Sequence, residues 1–203
     1  MNGFTYQNPV KVIFGAGTLA QTGVEAKKLG SKALVVSYND GSVTGTLTKL
    51  WSLLDAAGVA SQAFLEVTPN PPIEMVARGV EQAKAFGADL VIGVGGGSAM
   101  DAAKAIAAGV LYTHGDLWNM VYASHSNVTA QPPEAALPLL LIPTLPATGS
   151  EMNMCSVVSS TTRRQKSYIW ADCLFAKTAI LDPELTYTLP PFQTACGAID
   201  AIS

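Results

Sequence analysis

The chain has 203 residues, of which 49% are hydrophobic and 13% are charged, and its formal net charge is −3. A chain of this length and composition buries a sizeable core, which excludes a disordered protein. It carries no basic cluster, so neither nucleic acid nor an anionic membrane is expected as a partner.

The cysteines and the N-terminus indicate a cellular compartment. Cys155, Cys173 and Cys196 are odd in number and lack C-x-x-C spacing. This pattern favours reduced, mostly buried thiols over a disulfide framework. The first residues show no basic region followed by an apolar one, and no window is apolar for long enough to span a bilayer. We therefore expect a soluble, cytoplasmic protein.

Strands and helices alternate along the first half of the chain. Short strands are predicted at residues 4–6 and 10–14, followed by a helix that ends near residue 29. Two further strand and helix units follow, because apolar runs of strand length each precede a helical pattern. Their strands are residues 33–37 and 62–67, and their helices are a segment through residues 47–54 and residues 73–86.

The second half continues the alternation after the apolar run at residues 90–94. A helix ends near Gly109, and residues 112–134 form a long polar and aromatic loop. The apolar run at residues 137–142 is predicted to be a buried strand, with Pro138 near its start. Residues 156–160 and 179–181 add strands, and a final helix begins near residue 190. The alternation predicts an α/β fold, a parallel sheet covered by helices on both faces.

The most informative stretch is Gly95-Gly96-Gly97-Ser98, which joins the strand at residues 90–94 to a helix. Glycines lack Cβ atoms, so backbone N–H groups can approach a diphosphate where the unpaired donors and positive dipole end of the helix point. Ser98 is predicted as the N-cap, with Asp101 at capping-box spacing. The same two side chains are also candidates for ligand contact. A tight strand-to-helix connection without a ligand is the alternative interpretation of the glycines.

Asp40 is the candidate acid for a ribose. It follows the strand at residues 33–37, upstream of the glycines. An ordinary Rossmann half has the opposite order, since its ribose-binding acid lies about twenty residues after the glycines. Ligands bind at the carboxyl ends of parallel strands, so both loops can still face one crevice. The sequence therefore predicts a Rossmann-like sheet with variant topology.

Five motifs occur along the chain: FGAG at residues 14–17, PNP at 69–71, GGGSAMDAAK at 95–104, PTLPATGSEMN at 143–153 and LDPELT at 181–186. Together they resemble the iron-containing alcohol dehydrogenases, and the resemblance runs the whole chain. The ending, YTLPP at residues 187–191 through Gly197 and Asp200, is most similar to the butanol dehydrogenase and aldehyde reductase branch. The resemblance implies an N-terminal α/β domain like that of dehydroquinate synthase and a C-terminal all-helical domain, with a divalent metal between them. We assign residues 1–189 to the first domain and residues 190–203 to the first helix of the second.

The resemblance also implies site residues. The diphosphate site matches the glycine turn and Ser98, with Asp101 nearby at the helix start. The loop on the other side of the cofactor matches Thr144 and Thr148, and the adenosine end matches Asn70. Lys166 corresponds to a lysine that recurs near the cofactor. Thr144, Thr148 and Asn70 can also serve only their own loops, and Lys166 can be a solvated surface lysine.

Asp200 matches the aspartate of the family's metal site, which also contains three histidines. The first histidine is expected one helical turn after Asp200, and the sequence stops at Ser203. His114 and His125 lie in the long loop without partners at ligand spacing, and Cys196 is expected to pack rather than bind metal. We therefore expect an N-terminal fragment that is inactive by itself, with no catalytic residue that can be assigned in it.

The resemblance predicts an oxidoreductase that transfers hydride between NAD or NADP and a primary alcohol or aldehyde, with Fe²⁺ or Zn²⁺ in the intact enzyme. Asp40 favours NAD, because a carboxylate accepts hydrogen bonds from ribose hydroxyls and repels a 2′-phosphate. The aldehyde reductase branch and Ser42 favour NADP. A dehydroquinate synthase-like lyase and a dinucleotide-binding module without chemistry remain alternatives. A homodimer or a higher homo-oligomer is expected.

Overall fold

The apolar runs of the sequence form one parallel sheet whose central strands are buried on both faces. A computed structural model describes residues 3–122 and 129–202. In these ranges six strands are adjacent in the order β1, β8, β5, β4, β2, β3, all pairs parallel, and β6 and β7 form a separate antiparallel hairpin. Their bounds are β1 Lys11–Phe14, β2 Lys32–Val36, β3 Ala60–Phe64, β4 Leu90–Gly95, β5 Leu139–Pro143, β6 Cys155–Ser160, β7 Gln165–Trp170 and β8 Thr178–Leu181.

Helices cover both faces of this sheet, as the alternation of elements predicts. They are α1 Thr22–Leu29, α2 Gly41–Ala56, α3 Ile73–Phe86 and α4 Gly97–Leu111. A further helix, α5 Pro191–Ile202, is buried only at Gly197 and joins neither core. Side chains alternate along a strand, so Ala33 and Val35 of β2 join one core with α1 and α2. Leu34 and Val36 join the opposite core with α3 and α4. Within the described ranges, no helix is long and apolar enough to cross a membrane.

The order of the strands creates a crevice between the carboxyl ends of β2 and β4. These two strands are neighbours, with β3 on the outer side of β2 and β5 on the far side of β4. The helix that follows β2 packs on one face of the sheet, and the helix that follows β4 packs on the other. The loops after β2 and β4 therefore separate at the sheet edge, and such a switch point is where open α/β sheets bind ligands.

The hairpin formed by β6 and β7 lies against α4 and is attached by side chains. The Ser156 hydroxyl donates to the Asp101 carbonyl at 2.8 Å, and the Val157 N–H donates to the Asp101 carboxylate at 3.0 Å. At the turn of the hairpin, the Ser160 hydroxyl donates to Glu74 of α3 at 2.8 Å. The hairpin is thus held to two helices of the same face.

Four sequence predictions need correction. Residues 4–6 form no strand, and Phe4 is 88% exposed, because they pair with no strand in the described chain. Strand β7 was not predicted, since only Ile169 among its residues is buried and its apolar pattern is weak. The loop at residues 112–134 contains a short 3₁₀ helix at Leu117–Met120. Cys155 and Cys173 are half-buried and Cys196 is exposed, so the thiols are less buried than expected.

The attachment of the hairpin to α3 predicts a dependence of stability on pH. Burial alone would raise the pKa of Glu74, but hydrogen bonds from its own N–H, from Ser160 and from Thr162 lower it from 4.5 to about 2. The ionised carboxylate therefore stabilises the fold above about pH 4.5, and this contribution is lost as the pH falls towards 2. Glu74→Gln should flatten the decrease of the unfolding free energy between about pH 5 and pH 2. Urea unfolding at several pH values measures the unfolding free energy and its dependence on pH.

Glu81→Gln, on the exposed side of the same helix, is the matched control and should keep the slope of the unmodified chain. Equal slopes for Glu74→Gln and the unmodified chain would contradict the proposed role of the carboxylate.

Candidate functional site

The glycine turn connects β4 to α4 without a side-chain cap. Gly95 has φ +140°, a conformation that L side chains rarely adopt, and Gly96 is the N-cap residue of α4. The predicted N-cap role of Ser98 and its capping box with Asp101 are therefore wrong. The helix begins two residues earlier than a capping serine requires, because Gly96 takes the extended N-cap conformation itself. The N-terminus of α4 is left with backbone donors and no capping side chain.

Close packing explains the absence of side chains in this turn. A Cβ added to Gly95 would lie 2.6 Å from Cε2 of Tyr38. A Cβ on Gly97 would lie 3.3 Å from Cγ2 of Thr148, whereas one on Gly96 would make ordinary contacts at 3.4 Å with Leu145. Packing therefore requires glycine at Gly95, restricts Gly97, and leaves space at Gly96.

A cleft of about 620 Å³ lies at the switch point of the sheet. Asp40 and Tyr38 line it from the end of β2, and Thr144 and Leu145 line it from the end of β5. The glycine turn borders the cleft, since it contacts Tyr38 and Leu145. The loops that follow these strands therefore face one crevice, although Asp40 precedes the glycines in the sequence.

Asp40 is both a helix cap and a cleft residue. It is the N-cap of α2, and its Oδ1 accepts hydrogen bonds from the N–H of Ser42 at 2.8 Å and from the Ser42 hydroxyl. The carboxylate is exposed, and its Oδ2 accepts no hydrogen bond in the described part of the chain. Capping therefore fixes the side chain at the cleft and leaves one oxygen for a ligand. Ser42 lines the same cleft beside it.

Asn70 joins three elements beside the glycine turn. Its backbone has φ +54°, and its N–H donates to the Ser98 hydroxyl at 3.4 Å. Its carbonyl accepts from Ser159, and its side-chain oxygen accepts from Lys166 Nζ at 2.6 Å. Lys166 is thus held beside the start of α4. The structure brings Asn70, Ser98 and Lys166 together, and each of these contacts also has a purely structural use; their roles toward a cofactor stay predictions.

The loop after β5 crosses the other side of the turn. The Thr144 N–H donates to the Gly95 carbonyl at 2.9 Å, and Thr144 lines the cleft. The Thr148 side chain lies against Gly97, and its hydroxyl accepts from the Ser150 N–H at 3.4 Å. The two threonines therefore flank the turn, one towards the cleft and the other towards the first turn of α4.

Asp101 is largely buried, and both of its carboxylate oxygens have partners within the protein. The Ser150 hydroxyl donates to one oxygen, and the Val157 N–H donates to the other. Burial raises the pKa of Asp101, and the hydrogen bond from Ser150 opposes this effect. Its role as a cofactor ligand stays a prediction, and its observed contacts hold the loop and the hairpin to α4.

Lys104 was not singled out from the sequence, yet it is fully buried. Its ammonium group donates to Asn153 Oδ1 at 2.9 Å and to the carbonyls of Asn153 and Cys155 at 2.8 Å each. Burial lowers its pKa to about 8, against the favourable charge of Asp101. The sequence carries a signal for this buried lysine, because Lys104 is the single basic residue in a helix made mostly of small apolar residues.

Asp200, the proposed metal ligand, lies on α5 near the end of the described residues. Asp200 and Cys196, one helical turn before it, are both exposed. His114 packs edge-on against Tyr112, and His125 lies outside the described residues. Among the described residues no group of three His, Cys, Asp or Glu side chains is placed to hold a metal ion. These residues therefore do not by themselves fit a catalytic metal site, which needs about three protein ligands.

Known proteins resemble this chain over its whole length. The sequence profile described as iron-containing alcohol dehydrogenase matches residues 9–183. The NADH-dependent butanol dehydrogenase A of Clostridium acetobutylicum is 40% identical over all of this chain and 51% of its own length. An NADPH-dependent aldehyde reductase of Escherichia coli is 33% identical, with 99% of this chain and 50% of the relative covered.

The fold agrees with these sequence matches. The crystal structure of the NADH-dependent butanol dehydrogenase A of Thermotoga maritima matches all of this chain and 50% of its own, with a TM-score of 0.88 and 37% identity. The chain thus spans about half the length of the relatives it matches. Since the family profile covers most of its residues, the chain belongs to the iron-containing alcohol dehydrogenase family.

Proposed function

We propose that this chain is the dinucleotide-binding part of an NAD(P)-dependent, metal-dependent alcohol dehydrogenase or aldehyde reductase. The observation that carries the proposal is the glycine turn at the N-terminus of α4, which borders the same cleft as Asp40 at the switch point of the sheet. Membership of the family favours this oxidoreductase over a lyase and over a module without chemistry. The substrate would be a primary alcohol or aldehyde.

The residues of the cleft fit a dinucleotide. The uncapped N-terminus of α4 offers backbone N–H groups and the positive end of the helix dipole to a diphosphate. Hydroxyl groups of Ser98 and Thr148 stand beside those donors. Asp40, at the end of β2, is placed to accept from ribose hydroxyls. The bound nicotinamide would supply the hydride or accept it.

Metal binding is proposed only for the enzyme as a whole. Asp200 corresponds to a family ligand, but the described residues offer no complete ligand set. We propose that the remaining ligands are supplied outside these residues, and that residues 1–203 alone do not turn over alcohols or aldehydes.

We also propose a domain boundary near residue 190 and association with further protein. Helix α5 begins at Pro191, after the last strand of the sheet. Its apolar side chains Phe192, Ile199 and Ile202 are exposed by 66–82%. Apolar surface of this kind favours contact with another domain or another copy, in keeping with the expected homo-oligomer.

The proposed diphosphate site predicts the effect of Gly96→Val. A Cβ at this position makes only ordinary contacts, so the fold should be retained, but the branched side chain occupies the approach to the backbone donors. We expect affinity for NADH to fall at least about ten-fold, the equivalent of one lost hydrogen bond to a charged group. Titration calorimetry measures the two dissociation constants.

Gly45→Val is the matched control, because a Cβ on Gly45 in α2 meets nothing within 4 Å. This variant should bind NADH like the unmodified chain. Equal affinities of the unmodified chain and Gly96→Val would show that the turn is not the diphosphate site.

The exposed carboxylate of Asp40 predicts the choice of cofactor. It should repel the 2′-phosphate of NADPH, so we expect tighter binding of NADH, by about ten-fold or more. Asp40→Asn removes the charge and retains a side chain that can cap α2, and it should reduce this preference. Asp55→Asn, an exposed position near the end of the same helix, should leave the preference unchanged. Tighter binding of NADPH by the unmodified chain would contradict the assignment.

A further inference from the structure

Tyr38 lies between the two loops that form the cleft, although no sequence motif singled it out. It follows Ser37, whose hydroxyl donates to the Val94 carbonyl at 2.8 Å and so ties the end of β2 to the end of β4. The ring of Tyr38 is half-buried and packs directly over Gly95. This contact and the positive φ of Gly95 both require glycine at the first position of the turn.

The hydroxyl of Tyr38 extends from this packed ring to the backbone donors of α4. A Cβ on Gly96 would be 3.5 Å from the phenolic oxygen. The backbone N–H groups of Ala99 and Gly96 lie close enough to this oxygen to lower the pKa of Tyr38, against the larger effect of burial. The hydroxyl therefore lies beside the N-terminus of α4, at the wall of the cleft.

The proton of the same hydroxyl has no acceptor in the part of the chain that the structure describes. Burial raises the pKa of Tyr38, with Asp40 and Asp101 adding to the effect, so the phenol keeps its proton at neutral pH. A half-buried hydroxyl thus has one donor unused, at the wall of the cleft.

The charges around the turn make a neutral donor useful. Asp40 and Asp101 both act on Tyr38 as negative charges. Two cations of the region are already engaged, Lys166 by Asn70 and Arg78 by Glu66. A diphosphate placed here would receive little direct compensation from positive side chains. Its stabilisation would depend on the number of neutral donors that converge on it, as at other helix N-termini that bind anions.

We propose that the Tyr38 hydroxyl donates a hydrogen bond to the diphosphate of the bound dinucleotide, and that its ring holds the glycine turn in the conformation that receives it. This inference rests on the proposed function, because it assigns a further residue to the same cofactor site. The chemistry recognised is a diphosphate oxygen, so ADP-ribose should be recognised in the same way as NADH.

The test compares Tyr38→Phe with the unmodified chain. The variant keeps the ring against Gly95 and removes only the hydroxyl, so its melting temperature should change little. We expect its affinity for NADH and for ADP-ribose to fall about ten-fold, as for the loss of a hydrogen bond to a charged group. Affinity for adenosine, which has no phosphate, should change less than about two-fold. NADH fluorescence titration, with ADP-ribose and adenosine as competitors, measures the three affinities.

The outcomes separate this inference from the proposed function. Tyr168→Phe, whose ring stacks on Tyr122 away from the cleft, is the control and should bind NADH normally. Equal or tighter binding of NADH by Tyr38→Phe would overturn the inference, since the ring of Tyr38 would then only pack against the glycine turn. If Gly96→Val still weakened binding, the proposed function would stand. A chain that binds neither NADH nor NADPH would overturn both.

Discussion

The close contact between α4 and β4 is the constraint on which the rest of the structure depends. A Cβ on Gly93 would lie 2.8 Å from Leu141 and 2.9 Å from Ala103, so the strand and the helix meet only because small residues face each other. Helix α4 can then start immediately after the strand, with Gly96 as its N-cap. The glycine turn is therefore short, and its donors stay at the edge of the sheet, where the crevice opens.

A set of polar contacts arranges the other loops around α4. Lys104 holds residues 153–155 from within the helix, and Asp101 holds both the Ser150 loop and the hairpin. The Asn153 side chain in turn donates to the Gly149 carbonyl at 2.9 Å. Because these groups are buried and hydrogen-bonded, loss of one partner would leave another buried polar group unsatisfied. The loop that carries Thr148 is thus positioned from the interior of the protein.

The sequence was most informative where local patterns determine structure. The parallel sheet, its helices and the convergence of Asp40 with the glycine turn follow from the alternation of apolar runs and from the rule that loops at one sheet edge share a crevice. The family suggested by the motifs was confirmed by the family profile, and the fold class by the parallel sheet. Cofactor roles of the individual site residues remain predictions.

What the sequence did not predict depends on contacts between distant residues. Strand β7 has one buried side chain, so its pairing with β6 left no apolar pattern. Serine is a common N-cap residue, but Gly96 takes that position in α4. The turn after β4 is tighter than one in which Ser98 and Asp101 would form a capping box. Tyr38 and Lys104 owe their environments to residues far along the chain, and only tertiary structure brings those residues together.

The central claim is that a nicotinamide dinucleotide binds across the glycine turn, between α4 and the end of β2. The most direct measurement is the change in backbone amide chemical shifts when isotope-labelled chain is titrated with NADH. The account predicts that the largest changes occur at Gly96, Gly97, Ser98 and Asp40. Changes confined to residues away from this crevice, or no change at saturating NADH, would contradict it.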